Sequence, residues 1–186
     1  MKKPINLHTI PALQEIYIRE GVKLRLLDQS HAARLLEILE ADSIIRDNVT
    51  VASRMHTQKD VANEIDSYHK DEGLIRYVLM RDDNPIGLVS LWRDDGFWGK
   101  KNLDDYGFGY FLDQSERGKG LVTSAIQSLM DIVVKNLEVN QFVAFCEDLN
   151  KTSIAVLSKL GFRPTEETFS EPNNGWIERK YIKPVK

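Results

Sequence analysis

The sequence is poor in cysteine and has no long hydrophobic run, and both features limit what the protein can be. Cys146 is the single cysteine among 186 residues, which excludes an internal disulfide and a zinc site built from several cysteines. No apolar stretch approaches the roughly 20 residues that a membrane-spanning helix needs. The first residues also lack the apolar segment of a signal peptide. Together these features predict a cytoplasmic protein without disulfides.

The sequence also lacks an excess of basic residues. The 25 Lys and Arg residues stand against 28 Asp and Glu residues, so the net charge is −3, which argues against nucleic-acid binding through a general basic field. Hydrophobic residues make up 42% and charged residues 28% of the chain, as in globular proteins. We therefore expect one domain over residues 1–186, with a core at about 22–182 and an N-terminal arm at 1–14. No metal is predicted, because metal-ligand spacing is missing from the four histidines: His8, His31, His56 and His69.

The spacing of apolar residues predicts a mixed α/β fold. Alternation over Val22–Leu27 indicates a half-buried strand, and helical spacing follows Asp28 and Thr57. Early strands joined by turns and later ones joined by crossovers favour a mixed sheet. The other predicted elements are strands at Ile75–Met80, Ile86–Trp92, Tyr106–Leu112, Phe142–Cys146 and Trp176–Ile182, and helices at Leu121–Leu137 and from Asn150 to Leu160.

A polar segment with two aromatic residues, Phe97 and Trp98, joins two of these strands. It is predicted either as a surface loop over Arg93–Asn102 or as a loop that faces a substrate or a second subunit.

A loop with two glycines, Arg117–Gly120, stands between a predicted strand and a long helix. Glycines there let several N–H groups point into one concavity, and the helix N-terminus adds partial positive charge, so the loop suits a phosphate. The spacing does not match a Walker A loop, and Thr123 stands where a Rossmann fingerprint has its third glycine. By itself the loop indicates either a tight turn or a phosphate site.

An ordered set of motifs surrounds this loop: Gly-Tyr-Phe-Leu-Asp at 109–113, Arg-Gly-Lys-Gly at 117–120, Asn150, and Leu-Gly-Phe at 160–162. The set resembles the GNAT superfamily of acetyl-CoA-dependent N-acetyltransferases. Within it, the chain is similar to the RimJ/RimL-type branch, whose name-giving members acetylate the N-terminus of ribosomal proteins. The resemblance runs from about Val22 to Ile182. It implies a GNAT fold, with a mixed but mostly antiparallel sheet of about seven strands, splayed at the acetyl-CoA site, and helices on both faces.

The resemblance also implies a coenzyme A site. Main-chain N–H groups of the loop would hold the pyrophosphate, with Arg117 and Lys119 as charge partners, and the thioester carbonyl would meet an N–H group near Leu112. The family loop ends on glycine or alanine where this chain has Val122, which is tolerable because main-chain groups hold the phosphates. The residues implied to bind the cofactor are Phe111, Leu112, Arg117, Gly118, Lys119, Gly120, Leu121, Val122, Thr123, Asn150 and Ser153.

The resemblance implies that a serine stabilises the leaving thiolate. Many GNAT members have a tyrosine four residues before the Gly-Phe pair, where this chain has Leu157. RimL-type members have a serine three residues after a helix-capping asparagine, and Ser153 follows Asn150 at that distance. Ser153 is therefore the candidate to stabilise the thiolate, although a hydroxyl is also favoured in a first helical turn for local reasons.

The general base is a separate question. Many relatives have a glutamate where this chain has Gly107, and Glu171 falls roughly where RimL-type enzymes have an acidic residue. Asp104 and Asp105 are alternatives, and each of these carboxylates also fits an exposed surface position. Cys146 lies in an apolar strand, so it is interpreted as a small hydrophobic residue and not as a nucleophile.

The expected activity is transfer of the acetyl group of acetyl-CoA to a primary amine, by direct attack in a ternary complex. The acceptor is expected to be a protein N-terminus, or alternatively a polyamine, amino acid or other small amine. A non-catalytic module that binds coenzyme A or a partner is the rival class, because the tyrosine is missing. The resemblance also suggests a homodimer, and no membrane or nucleic-acid partner is expected.

Overall fold

The computed structural model describes residues 6–94, 102–170 and 176–185, which form one open sheet of eight strands. The strands are β1 Glu15–Arg19, β2 Val22–Leu26, β3 Leu74–Arg81, β4 Asn84–Asp94, β5 Asn102–Leu112, β6 Gln141–Cys146, β7 Arg163–Ser170 and β8 Ile177–Pro184. Their order in the sheet is β1-β2-β3-β4-β5-β6-β8-β7. All neighbours are antiparallel except β5 and β6, which are parallel.

Helices cover both faces of the sheet, as predicted. They are α1 Ala32–Ala41, α2 Ile44–Asn48, α3 Gln58–Tyr68, α4 Leu121–Asn136 and α5 Lys151–Lys159. Helices α1 and α3 pack on one face around Leu88 and Phe111. Helices α4 and α5 pack on the other face around Phe108 and Phe142. The two apolar clusters are the reason that the central strands read as continuous hydrophobic runs.

The capping residues begin and end the helices where the sequence indicates. The Thr57 side chain accepts a hydrogen bond from the N–H of Asp60, and the Asp60 carboxylate accepts one from the N–H of Thr57, which makes a capping box. Gly161 follows α5 with φ +84°, the left-handed conformation that glycine adopts without steric cost. Most predicted elements therefore begin and end within a few residues of the observed ones.

Residues 7–13, which lie within the predicted N-terminal arm, pack into the core. Leu7 and Leu13 are both 0% exposed, and the Leu7 N–H donates to the Glu72 carbonyl at 2.8 Å. Apolar residues at every third position fit the two short 3₁₀ turns that this segment forms. Strand β1 then adds an eighth strand to the expected seven, so the core begins well before residue 22.

The parallel strands β5 and β6 pair over only three residues. Asp105, Tyr106 and Gly107 pair with Gln141, Phe142 and Val143. Beyond this point β5 remains paired with β4, as far as the pair of Leu112 with Gly87, and β6 remains paired with β8. Each strand thus follows its antiparallel neighbour, and the sheet splays between β5 and β6. The segment 95–101, with Phe97 and Trp98, lies outside the described residues.

Candidate active site

The gap between β5 and β6 opens into a cavity of about 470 Å³. Its walls come from β4, β5, β6, β8, the first turns of α5 and the segment after α2. A volume in this range is typical of a site for a small-molecule ligand.

Backbone N–H groups of β5 face this gap. The Asp113 N–H donates to the Ile86 carbonyl of β4, and the Asn140 N–H donates to the Asp104 carbonyl from the β6 side, both at 2.8 Å. Since backbone groups alternate along a strand, the N–H groups of Tyr110 and Leu112 point toward the side that β6 has left. The Leu112 carbonyl accepts from the guanidinium of Arg117 at 3.0 and 3.2 Å. The Leu112 N–H is therefore placed to meet a carbonyl in the gap.

The glycine loop that follows β5 presents a row of unused donors. Within the described part of the chain, the N–H groups of residues 118–123 donate no hydrogen bond, and the first helical bond runs from Ser124 to Gly120. Gly118 and Gly120 have φ values of +77° and +74°. A Cβ atom added at either position would meet nothing within 4 Å, so the concavity is open. Six free N–H groups at the start of a 16-residue helix fit a diphosphate.

The two cations of the loop are paired with carboxylates. Arg117 Nη2 lies 2.6 Å from Asp42 Oδ2, and Lys119 Nζ lies 3.2 Å from Glu116 Oε2. Arg81 reaches the same Glu116 oxygen at 2.8 Å. These contacts hold the loop against its surroundings, so the structure uses both cations for loop geometry. A contact of either one with phosphate stays a prediction.

Helix α5 brings three of the predicted positions to the cavity: Asn150, Ser153 and Leu157. The Asn150 side chain caps the helix, accepting from the Ser153 N–H at 3.1 Å. The Ser153 hydroxyl lies near the Tyr110 hydroxyl and the Cys146 thiol. Phe111, in contrast, is 3% exposed and packs in the cluster beneath α1 and α3. Its side chain therefore lies on the face away from the cavity, and only its backbone is near the gap.

A family model described as an acetyltransferase (GNAT) domain matches residues 22–163. The protein belongs to the GNAT acetyltransferase family. It is an N-acetyltransferase that uses acetyl-CoA as the acyl donor, and the family needs no metal ion. Among the described residues, no three histidine, cysteine or carboxylate side chains are grouped so as to hold a metal. None of the described helices is long and apolar enough to cross a membrane.

Relatives with different acceptors share this fold. The ribosomal-protein-serine acetyltransferase of Escherichia coli (strain K12) is 23% identical over 154 residues, covering 80% of this chain and 83% of that protein. The structure of RimL, a ribosomal L7/L12 α-N-protein acetyltransferase in complex with coenzyme A, superposes with a TM-score of 0.78 at 19% identity, covering 92% of this chain and 98% of that one. AAC(6')-Ib in complex with ribostamycin and coenzyme A superposes with a TM-score of 0.73 at 24% identity, covering 88% and 93%.

The single cysteine of this GNAT protein is a poor nucleophile. Burial, together with the nearby Glu178 and Glu147 carboxylates, raises the pKa of the Cys146 thiol to about 12. The thiol is therefore protonated at neutral pH, and only a thiolate is an effective nucleophile. This agrees with the interpretation of Cys146 as a small buried residue.

The carboxylates on the cavity wall differ from those expected. Asp105 lies at the paired end of β5, where it accepts from Asn140 Nδ2 at 2.9 Å and Gln141 Nε2 at 2.7 Å. Neither Asp104 nor Asp105 lines the cavity, and Glu171 lies outside the described residues. Glu178 of β8 lines the cavity and is only 8% exposed. No pattern in the sequence points to it, because in β8 the apolar Ile177 is 66% exposed and the charged Glu178 beside it is buried.

Trp92 fills the position from which many GNAT relatives project a glutamate. A Cβ atom at Gly107 would lie 2.3 Å from Trp92 Cε2 and 2.5 Å from the indole nitrogen. The ring also covers Gly109, where a Cβ would lie 3.2 Å from it. No side chain fits at Gly107 while the indole lies there. Trp92 is thus a cavity residue that sequence reasoning missed, and the glycines opposite it were the available signal.

Proposed function

We propose that the protein acetylates the N-terminal α-amino group of a protein. The observation that carries the proposal is the Trp92 ring over Gly107, which leaves no room for a carboxylate at that position. An α-amine has an ordinary pKa of about 7.7–8.0, whereas a lysine-like amine has one of about 10.4. At neutral pH the α-amine is therefore partly uncharged already, and it needs less help from a base.

The similarities to other proteins support two acceptor classes. The Escherichia coli relative and RimL carry names that specify ribosomal-protein substrates. AAC(6')-Ib was solved with ribostamycin, which makes a small amine the second candidate. We rank the protein N-terminus first because no carboxylate fits at Gly107, and an amine of low pKa depends least on such a base.

The proposed reaction uses the groups on both walls of the gap. Loop N–H groups of residues 118–123 hold the diphosphate of acetyl-CoA, and the acceptor nitrogen attacks the thioester carbon. The Leu112 N–H stabilises the carbonyl oxygen as it gains charge, and a donor of this kind contributes about 3–4 kcal/mol. Ser153 holds the sulfur as the thiolate leaves.

The acceptor class is tested by measuring thiol release from acetyl-CoA with a panel of amines. We expect peptides that begin with Ser or Ala to give a higher kcat/KM than a polyamine or an aminoglycoside. The rate with peptides should rise with pH through about 8, following the pKa of the acceptor amine. The same peptides with a blocked N-terminus are the control. Turnover restricted to small amines would reject the first candidate in favour of the second.

A second prediction concerns the group that accepts the proton of the amine. We propose Glu178, because its buried carboxylate faces the cavity, and we expect Glu178→Gln to lower kcat by about 100-fold, the lower limit of the range for a general base. Glu166→Gln on the exposed strand β7 is the control. A loss of kcat in Glu171→Gln, with Glu178→Gln unaffected, would return the role to the residue predicted from the sequence.

We also predict that the protein is a homodimer and that it is cytoplasmic. Both come from the sequence and its resemblance to the family, and size-exclusion chromatography with light scattering measures the first directly.

A further inference from the structure

The Tyr110 hydroxyl is a buried polar group that the proposed reaction has not used. It lies in the cavity wall, and within the described part of the chain it has no hydrogen-bond partner. A buried hydroxyl without a partner weakens folding, and such groups are rare in native proteins. Phenylalanine would supply the same packing without this cost. The hydroxyl therefore points to a role other than packing.

The neighbour of this hydroxyl is Ser153, the residue proposed to hold the sulfur of coenzyme A. Burial raises the pKa of Tyr110 to about 12, and the nearby Ser153 hydroxyl opposes that rise. The phenol is thus protonated at neutral pH and acts as a hydrogen-bond donor. Ser153 lies within reach, but the two hydroxyls are not in hydrogen-bond geometry.

Tyr110 also stands opposite a position where a phenol is missing. Leu157 lines the same cavity from α5, one turn after Ser153, and has no polar group. Tyr110 reaches this space from β5, on the other wall of the gap. The cavity therefore has a phenolic hydroxyl beside Ser153, although it comes from a strand and not from the helix.

We propose that Tyr110 is a positioning residue that donates a hydrogen bond to Ser153 and so directs the Ser153 hydroxyl hydrogen at the sulfur of coenzyme A. The inference rests on the proposed role of Ser153. In the transfer step the amine lone pair forms the C–N bond, and the C–S bond breaks with its electron pair on sulfur. The two hydroxyls stabilise that thiolate without losing protons. The surplus proton of the amine passes to the carboxylate base, and the thiolate is protonated by solvent on release.

The test is the pKa of the coenzyme A thiol bound to the protein, followed by the ultraviolet absorbance of its thiolate. The only cysteine of the chain, Cys146, has a pKa of about 12, so it does not titrate in the range of interest. We expect Tyr110→Phe to raise the pKa of the bound thiol by about one unit, which corresponds to a tenfold weaker hold on the thiolate. Ser153→Ala should raise it at least as much, and the double variant no more than Ser153→Ala alone.

Tyr106→Phe is the matched control, because Tyr106 is a buried tyrosine of the same strand that does not line the cavity. It should leave the pKa of the bound thiol unchanged. Tyr110→Phe should also keep its melting temperature, or raise it, while kcat falls about tenfold and the KM for acetyl-CoA stays constant. A merely structural role would lower the melting temperature instead.

Two results would overturn the inference while leaving the proposed function intact. One is an unchanged pKa of the bound thiol in Tyr110→Phe with normal coenzyme A binding. The other is a double variant whose pKa shift equals the sum of the single shifts, since Tyr110 would then act independently of Ser153. Failure of the unaltered protein to bind coenzyme A would overturn both proposals together.

Discussion

Replacement of Gly120 by valine is expected to weaken acetyl-CoA binding by about 100-fold. Gly120 has φ +74° at the start of α4, and a β-branched residue in that conformation costs on the order of 1–3 kcal/mol. The loop would relax away from this strain, and the N–H groups of residues 118–123 would no longer converge on the diphosphate. Isothermal titration with acetyl-CoA measures the loss directly.

Gly161→Val is the matched control for this substitution. Gly161 has φ +84°, and a Cβ there would meet only the Lys183 side chain, at 4.0 Å, so the added strain is similar but lies at the end of α5. It should lower the melting temperature and leave the Kd for acetyl-CoA unchanged. Gly120→Asn should retain most of the affinity, because asparagine tolerates a positive φ. Tight binding by Gly120→Val would place the diphosphate elsewhere on the protein.

Removal of the Ser153 hydroxyl is expected to lower kcat by about 10- to 100-fold with little change in the KM for acetyl-CoA. The hydroxyl contributes when the C–S bond breaks and charge develops on sulfur, so its loss affects the transition state more than the bound thioester. Steady-state kinetics with the best acceptor of the amine panel separates the two constants.

Ser158→Ala provides the comparison, since Ser158 is an exposed serine of the same helix α5. Its kinetic constants should equal those of the unaltered protein. Ser153→Thr keeps a hydroxyl and should recover part of the lost kcat. A Ser153→Ala variant whose KM rises while kcat is unchanged would make Ser153 a binding residue instead of a donor to the thiolate.

Local patterns were sufficient for most of the elements and for the glycine loop. Alternation and helical spacing located β2 and α3, and the loop N–H groups are free as the motif implies. Such features depend on residues that are neighbours in sequence, so they can be recognised without a fold. The packing of residues 7–13 was not recognised in the same way, because two 3₁₀ turns of three residues each are too short to establish a period.

Contacts between distant segments had to come from the structure. Glu178 and Tyr110 are 68 residues apart in sequence, yet both line one cavity. They come together because β6 separates from β5 after Val143 and remains paired with β8. The pairing of Arg117 with Asp42 likewise joins positions 75 apart. No local sequence pattern distinguishes a loop arginine that will bind phosphate from one that, like Arg117, will bind Asp42 and the Leu112 carbonyl.

The sequence by itself determined the family and the acyl donor, and it predicted the loop proposed to bind that donor, because each depends on short motifs with strict backbone requirements. The tertiary structure alone decided which side chains line the cavity. Trp92 leaves no room for a side chain at Gly107 because β4 lies beside that glycine. Tyr110 and Ser153 line one cavity only because β5 and α5 come together in the fold. The chemistry of this site depends on which strands and helices line the cavity, and packing between elements that are distant in sequence sets that arrangement.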